Sequence, residues 1–293
     1  MSQSNNLELE GLKRTFELLN RAGIRIIERL SIESLEGWDV THLPRILDAI
    51  TQVVAEFRSQ YANQLTSLQR EGFDLGMVWV DQLANIQAKG NVSAQLQLSA
   101  LPELSRQQLA IWQGYSSKLI VNISEELRKN IDTVLTMGIT GEKSPYEIIK
   151  ELGKLPTFKQ MAEKQEPYSR IVGTPIEKAW IRAEYITRTE LNRIASYATK
   201  ARQDQLSEKF PEARKYWLQT NMHNPRSSHS KVENETNPRK GGRSIPINDK
   251  FKLIGKNGTL YEIDSPHAPG LPAGEVVNCG CHSVTVLPEL FPD

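Results

Sequence analysis

The sequence predicts an α+β fold, with an extended, mainly helical N-terminal region over residues 1–172 and a small C-terminal α+β module over 173–293 that carries a short antiparallel sheet. Three observations carry this. Apolar residues recur at three- and four-residue steps through most of the first two hundred positions, the period of amphipathic helices. Past Pro211 that rhythm stops, and short β-type runs appear among clusters of Asn, Pro, Ser and Gly. Between two of those runs stands Lys256-Asn257-Gly258, a tight-turn signal because Asn-Gly accepts positive φ. A chain of 293 residues has the length of roughly two domains.

Leu9, Leu12, Phe16, Leu19, Ile26 and Leu30 mark the buried stripe of a first helix. Ile46, Ile50, Val53, Phe57, Tyr61, Leu65 and Leu68 mark a second, with Thr41 as its cap and Pro44 tolerated in its first turn. Extended to Gln87 this helix would be about 70 Å long, unless Gly72 and Gly76 break it. His42 lies at its start, as a surface or capping residue. Ile120, Ile123, Leu127, Ile131 and Val134 outline a third helix ending near Gly138. Ser144-Pro145-Tyr146-Glu147 is a capping box with proline at the first helical position, opening a short helix that stops at Gly153 and Pro156. Residues 157–172 are polar and read as a linker or weak helix. A long helix spans Ile176 to Ser207, with Ile181, Tyr185, Leu191, Ile194 and Ala198 inward. The β-type runs are Lys215–Leu218, Lys252–Ile254, Thr259–Ile263 and Val276–Val286.

Hydrophobic residues make up 39% of the chain, and no apolar run approaches the roughly 20 residues that cross a bilayer. The N-terminus lacks a signal-peptide pattern, so synthesis in a cytoplasm is expected. Net charge is +1, but Lys200–Lys256 holds 13 Lys and Arg against 6 Asp and Glu, a local surplus of seven. Such a segment is either a polyanion-facing surface or a solvated loop. Arg239, Lys240 and Arg243, flanking Gly241-Gly242, are the residues suited to phosphate contact.

The last hundred residues hold an ordered series of signals: Arg188-Thr189-Glu190 on a helix, Trp217 in a β-type run, Arg226 and His229, Gly241-Gly242, and Asn278-Cys279-Gly280-Cys281. In this order and spacing they resemble the C-terminal module of the phage Mu F-like head morphogenesis family, the minor head proteins of tailed phages. The resemblance covers about residues 110–287 and is sharpest from 180 to 285. It departs from the family at Asn221-Met222-His223-Asn224, where members often carry an acidic residue ahead of the Arg.

The two cysteines, Cys279 and Cys281, are separated by one residue, which would strain a disulfide. On a strand they would share a face, since side chains alternate with period two. Two thiolates and the His229 imidazole from a neighbouring loop could bind zinc, with His223, His267 or His282 as a fourth ligand. The alternative is a pair of reduced thiols packed as small apolar groups. Arg188 and Glu190 read either as a polar network tying helix to sheet or, with His229, as a catalytic set. No Walker A, Gly-x-Ser-x-Gly or His-Glu-x-x-His motif occurs.

The resemblance implies a structural protein rather than an enzyme: a low-copy minor head protein of a tailed phage or prophage, residing in the virion head. Its partners would be portal and capsid or scaffold proteins, with non-specific contact to double-stranded DNA, and its role head assembly and DNA packaging or delivery. Two rivals stand beside it. One is a nuclease or toxin-like effector using His229, Arg226 and Glu190. The other is a portal adaptor or head–tail connector.

Overall fold

The computed structural model describes residues 2–33, 41–104, 107–140, 143–152, 174–220 and 225–288. The expected stop at Gly153 and Pro156, the polar stretch 157–172, and residues 221–224 with His223 lie outside them. Among the described residues six helices come first: α1 (Ser2–Glu33), α2 (Leu43–Gln87), α3 (Val92–Ser99), α4 (Gln107–Thr140), α5 (Pro145–Leu152) and α6 (Pro175–Lys209). None of the described helices is long and apolar enough to cross a membrane. The α+β class is as predicted. The chain divides into two compact units, but not by one cut near 172: residues 8–67 and 113–187 form one unit, and 1–7, 68–112 and 188–293 form the other. The boundaries fall inside α1, α2, α4 and α6, because each of these long helices contributes to both units.

The described residues of the first of these units are helical apart from short connections. Leu19, Ile26 and Leu30 of α1 pack with Ile46, Ile50, Phe57 and Leu65 of α2, and with Ile120, Ile123, Leu127 and Ile131 of α4. The inward stripes are the predicted ones except at Leu9, which is exposed. α2 starts at Leu43, where the His42 carbonyl accepts the Ile46 N–H. The Ser144–Glu147 capping box forms reciprocally, Glu147 N–H to Ser144 Oγ at 3.3 Å and Ser144 N–H to Glu147 Oε2 at 2.9 Å. Thr174 and Glu177 build the same box at the start of α6. The Tyr61 hydroxyl, fully buried, donates to the Ala183 carbonyl at 2.9 Å and meets Thr187 Oγ1 at the same distance. That satisfies a polar tip which burial would otherwise penalise.

The second unit combines the C-terminal halves of α2 and α6 with all the strands. Gly72 and Gly76 do not break α2. They let α6 approach its backbone, since a Cβ on Gly76 would lie 2.3 Å from the Ala195 carbonyl oxygen. Arg202 of α6 crosses to α2 and grips Asp81 with two N–H groups, at 2.6 and 3.0 Å. After α6 come β1 (Arg214–Gln219), α7 (Ser227–Thr236), a single 3-10 turn (Pro238–Lys240), β2 (Ile245–Pro246), β3 (Phe251–Ile254), β4 (Leu260–Ile263), the one-turn α8 (Ala273–Val276) and β5 (Cys281–Val286). β1 is the centre of a three-stranded antiparallel sheet between β2 and β5, with Trp217 opposite Ser283. β3 and β4 form the predicted hairpin, Ile254 opposite Leu260, and only Gly258 in its turn takes positive φ, at 78°. Gln203 of α6 donates to Ser283 Oγ and Thr285 Oγ1, fixing β5 along the helix.

Lys215 is the second residue of β1 and has no exposed surface, its ammonium donating to the Asp264 carbonyl at 2.8 Å and lying 5.0 Å above the Phe251 ring. Burial lowers its pKa from 10.5 to about 8, and the neighbouring Lys200 pushes the same way. Between those values the unfolded chain holds a proton that the folded chain has released, so stability should climb as pH rises from about 8 towards 10.5, by on the order of 3 kcal/mol. Denaturant midpoints measured near pH 7.5 and near pH 9.5 should therefore differ, and Lys215→Met should flatten the difference. An unchanged slope in that variant would assign it to other groups.

Candidate metal centre

Two corrections to the sequence reading define the site. The run Val276–Val286 is not one strand: α8 ends at Val276, and β5 begins only at Cys281. Cys279 therefore lies in the turn before the strand, and its thiol reaches Cys281 through backbone curvature rather than through strand alternation. The turn is held by Asn278 in the left-handed region at φ 54°, its N–H donating to Thr189 Oγ1 at 3.1 Å. Second, His229 sits on a helix and not on a loop. α7 is polar throughout except for Val232, and it buries Ser228, His229, Glu233 and Thr236.

His229, Cys279 and Cys281 come together. His229 Nδ1 stands 3.3 Å from Cys281 Sγ and 3.5 Å from Cys279 Sγ, all three side chains are buried, and both cysteines are free thiols. Their donor atoms fit within 4.8 Å of one another, so the three groups can hold a metal ion. On the other side of the ring His229 Nε2 lies 3.1 Å from Glu275 Oε2, and Ser228 Oγ donates to the same carboxylate oxygen at 2.9 Å. The Trp217 ring meets His229 edge-on at 5.3 Å between centroids. Nothing in the sequence singles out Glu275 or Ser228, because neither belongs to a spaced motif.

The thiols are electrostatically unequal. Cys279 is held well below the usual thiol pKa, first by the Cys281 S–H that donates to it and then, against the effect of burial, by the His267 and His229 imidazoles. Cys281 is pushed up by that same donation, by burial and by the charge of Cys279, while the Trp217 indole and Arg226 act in the opposite direction. The lowered pKa of Cys279 favours the thiolate, the form in which sulfur binds metals.

The other motif residues frame this pocket. Thr189 anchors Asn278, and Asn192, one helical turn further along α6, donates to the Cys279 carbonyl at 3.1 Å. Arg226 donates to the Val277 carbonyl at 2.6 Å. Thr220, at the end of β1, donates to the Gly280 carbonyl at 2.5 Å. Glu190 is buried and ion-paired with Arg193 at 2.6 Å, and Arg188 precedes it on α6, half-buried. The pleat turns His282 to the opposite side of β5 from Cys281, where it packs on Trp79 at 4.6 Å; burial, then His267, lowers its pKa to about 3, while the charge of Cys279 acts the other way. Of the phosphate candidates, Arg239 and Arg243 are exposed, whereas the Lys240 ammonium donates to the buried Glu233 at 2.6 Å. Lys200 and Arg202 are likewise engaged, with Asp204 and Asp81.

Comparison of the chain with protein-family models, with curated proteins and with solved structures finds no match.

Proposed function

We propose that this chain is a minor head protein of a tailed phage or prophage, associated with the portal or procapsid and acting in head assembly and DNA packaging or delivery, and that His229, Cys279 and Cys281 hold a structural zinc ion. The observation that supports the reading most is the spatial convergence of the ordered motif. Thr189, Trp217, Arg226, His229 and Asn278 are spread over some ninety positions, yet each touches the Cys-Gly-Cys turn or the residues that flank it. A set of residues matched only by order thus behaves as one structural unit. Zinc suits that unit, because the hairpin and loops around the pocket have a small core of their own, built on Trp217, Val232, Phe251, Leu253 and Ile263. The buried setting of His229 and Glu190 favours scaffolding over the nuclease rival, which needs both within reach of a phosphodiester.

The direct test is particle composition: procapsids and virions purified from that phage or induced prophage should contain the chain at low copy number, and its absence from both would contradict the assignment. The exposed bases Arg239, Arg243, Lys250, Lys252 and Lys256 supply a surface for packaged DNA. With about four phosphates neutralised, log K for duplex DNA should fall with log salt at a slope of about −3.6, irrespective of sequence. A flat salt dependence would assign these residues to protein contacts.

A further inference from the structure

Three groups suffice to bind a metal weakly, and a structural zinc site requires a fourth. The described residues offer one strong candidate. His267 is buried, with both ring nitrogens lacking a hydrogen-bond partner, and its imidazole acts on the Cys279 thiol, although its nitrogens lie outside the group of three donors that stand within 4.8 Å of one another. An imidazole left in that state loses its hydration without replacement, which a protein interior rarely tolerates. Its backbone is left-handed at φ 61°, a conformation unfavourable for a bulky residue and kept where the surroundings demand it. The turn that carries it lies between β4 and α8. Other unpartnered nitrogens gather at the same place: Trp217 Nε1 and Arg226 Nη1 are buried without partners, and both act on Cys281. Two imidazoles able to give lone pairs, two sulfurs, and nearby N–H groups and positive charge that act on one of the sulfurs form the inner and outer surroundings suited to a thiolate-bound cation.

We infer that His267 is the fourth ligand of a closed Cys2His2 tetrahedral zinc centre, with His229 binding through Nδ1 while its Nε2 faces the Glu275 carboxylate 3.1 Å away. The inference rests on the zinc reading above and goes further in two respects. It assigns the fourth position to His267 rather than to His282, which the pleat of β5 turns towards Trp79, and it leaves no position open for water or substrate. A centre with four protein ligands in a sealed pocket is structural, whereas a hydrolytic one keeps a ligand site free.

The experiment is cobalt(II) replacement in the full-length protein, read by visible absorption, with zinc affinity measured by competition against a chromophoric chelator. The wild-type protein should show the intense bands of tetrahedral cobalt together with sulfur-to-cobalt charge transfer. His267→Asn keeps a residue that tolerates left-handed backbone and removes the imidazole. It should lose the tetrahedral bands and bind zinc more than about 100-fold more weakly. Glu275→Gln should keep the tetrahedral spectrum and weaken zinc by about 10- to 100-fold. Tetrahedral cobalt and near-normal affinity in His267→Asn would overturn the assignment of His267 while leaving the metal in place. A wild-type protein that binds no cobalt would overturn the zinc reading itself. Should His267→Asn fail to fold, the wild-type cobalt protein decides the question by NMR: two hyperfine-shifted exchangeable imidazole N–H protons are expected, and a single one contradicts two histidine ligands.

Discussion

Cys279→Ser is expected to unfold the unit that carries the strands while leaving the helical unit intact. If Cys279 ligates zinc, the substitution removes a ligand from a centre whose binding energy is also folding energy, and the loss should exceed about 3 kcal/mol. The two units have separate hydrophobic clusters: one built on Leu19, Ile50, Leu127 and Trp180, the other on Trp217, Val232, Phe251 and Leu253 beside the cysteines. Calorimetry should therefore show one transition displaced downward and the other retained, and a strong chelator should have the same effect on the wild-type protein. Were the thiols merely packed in an apolar pocket, the hydroxyl would cost roughly 1–3 kcal/mol and the chelator would do nothing.

Gly76→Ala should destabilise the same unit, against the usual sign of such a change. In an open helix an alanine for glycine stabilises by about 1 kcal/mol. Here the new methyl would lie 2.3 Å from the Ala195 carbonyl oxygen and 2.9 Å from the Ala198 Cβ, and the Gly76 carbonyl already accepts from Thr199 Oγ1 at 3.2 Å. α2 and α6 must then separate, at about 2–3 kcal/mol or more. Gly114→Ala, on α4 with nothing within 4 Å of the added carbon, is the control and should stabilise slightly. Denaturant midpoints of the two variants should move in opposite directions. A stabilising Gly76→Ala would contradict the close helix contact.

These two sites show what the sequence discloses and what it conceals. The helical stripes were legible because burial follows a 3.6-residue period, and Ser144–Glu147 because a capping box is a local signal. Gly72 and Gly76 read as breakers, since helix propensity is local while their purpose, contact with α6, joins residues more than a hundred positions apart. α7 leaves no periodic signal in the sequence, because its inward face is made of Ser228, His229, Glu233 and Thr236 with Val232 as its one apolar residue. The thiol pair and His229 were legible as chemistry, but the geometry that joins them was not. The left-handed turn at Asn278, rather than a strand face, brings Cys279 to Cys281. His267 was one histidine among three until its burial and its two unpartnered nitrogens distinguished it.

Whether the chain belongs to a phage head is decided by the particles themselves. Procapsids, filled virions and emptied heads, purified from the phage or induced prophage to which the proposal assigns the chain, should be digested and the chain quantified against isotope-labelled peptides, with the major capsid protein as reference. It should be present in procapsids and virions at a small, constant number of copies per particle. Its absence from all three fractions, with the protein abundant in the same lysate, would contradict the assignment.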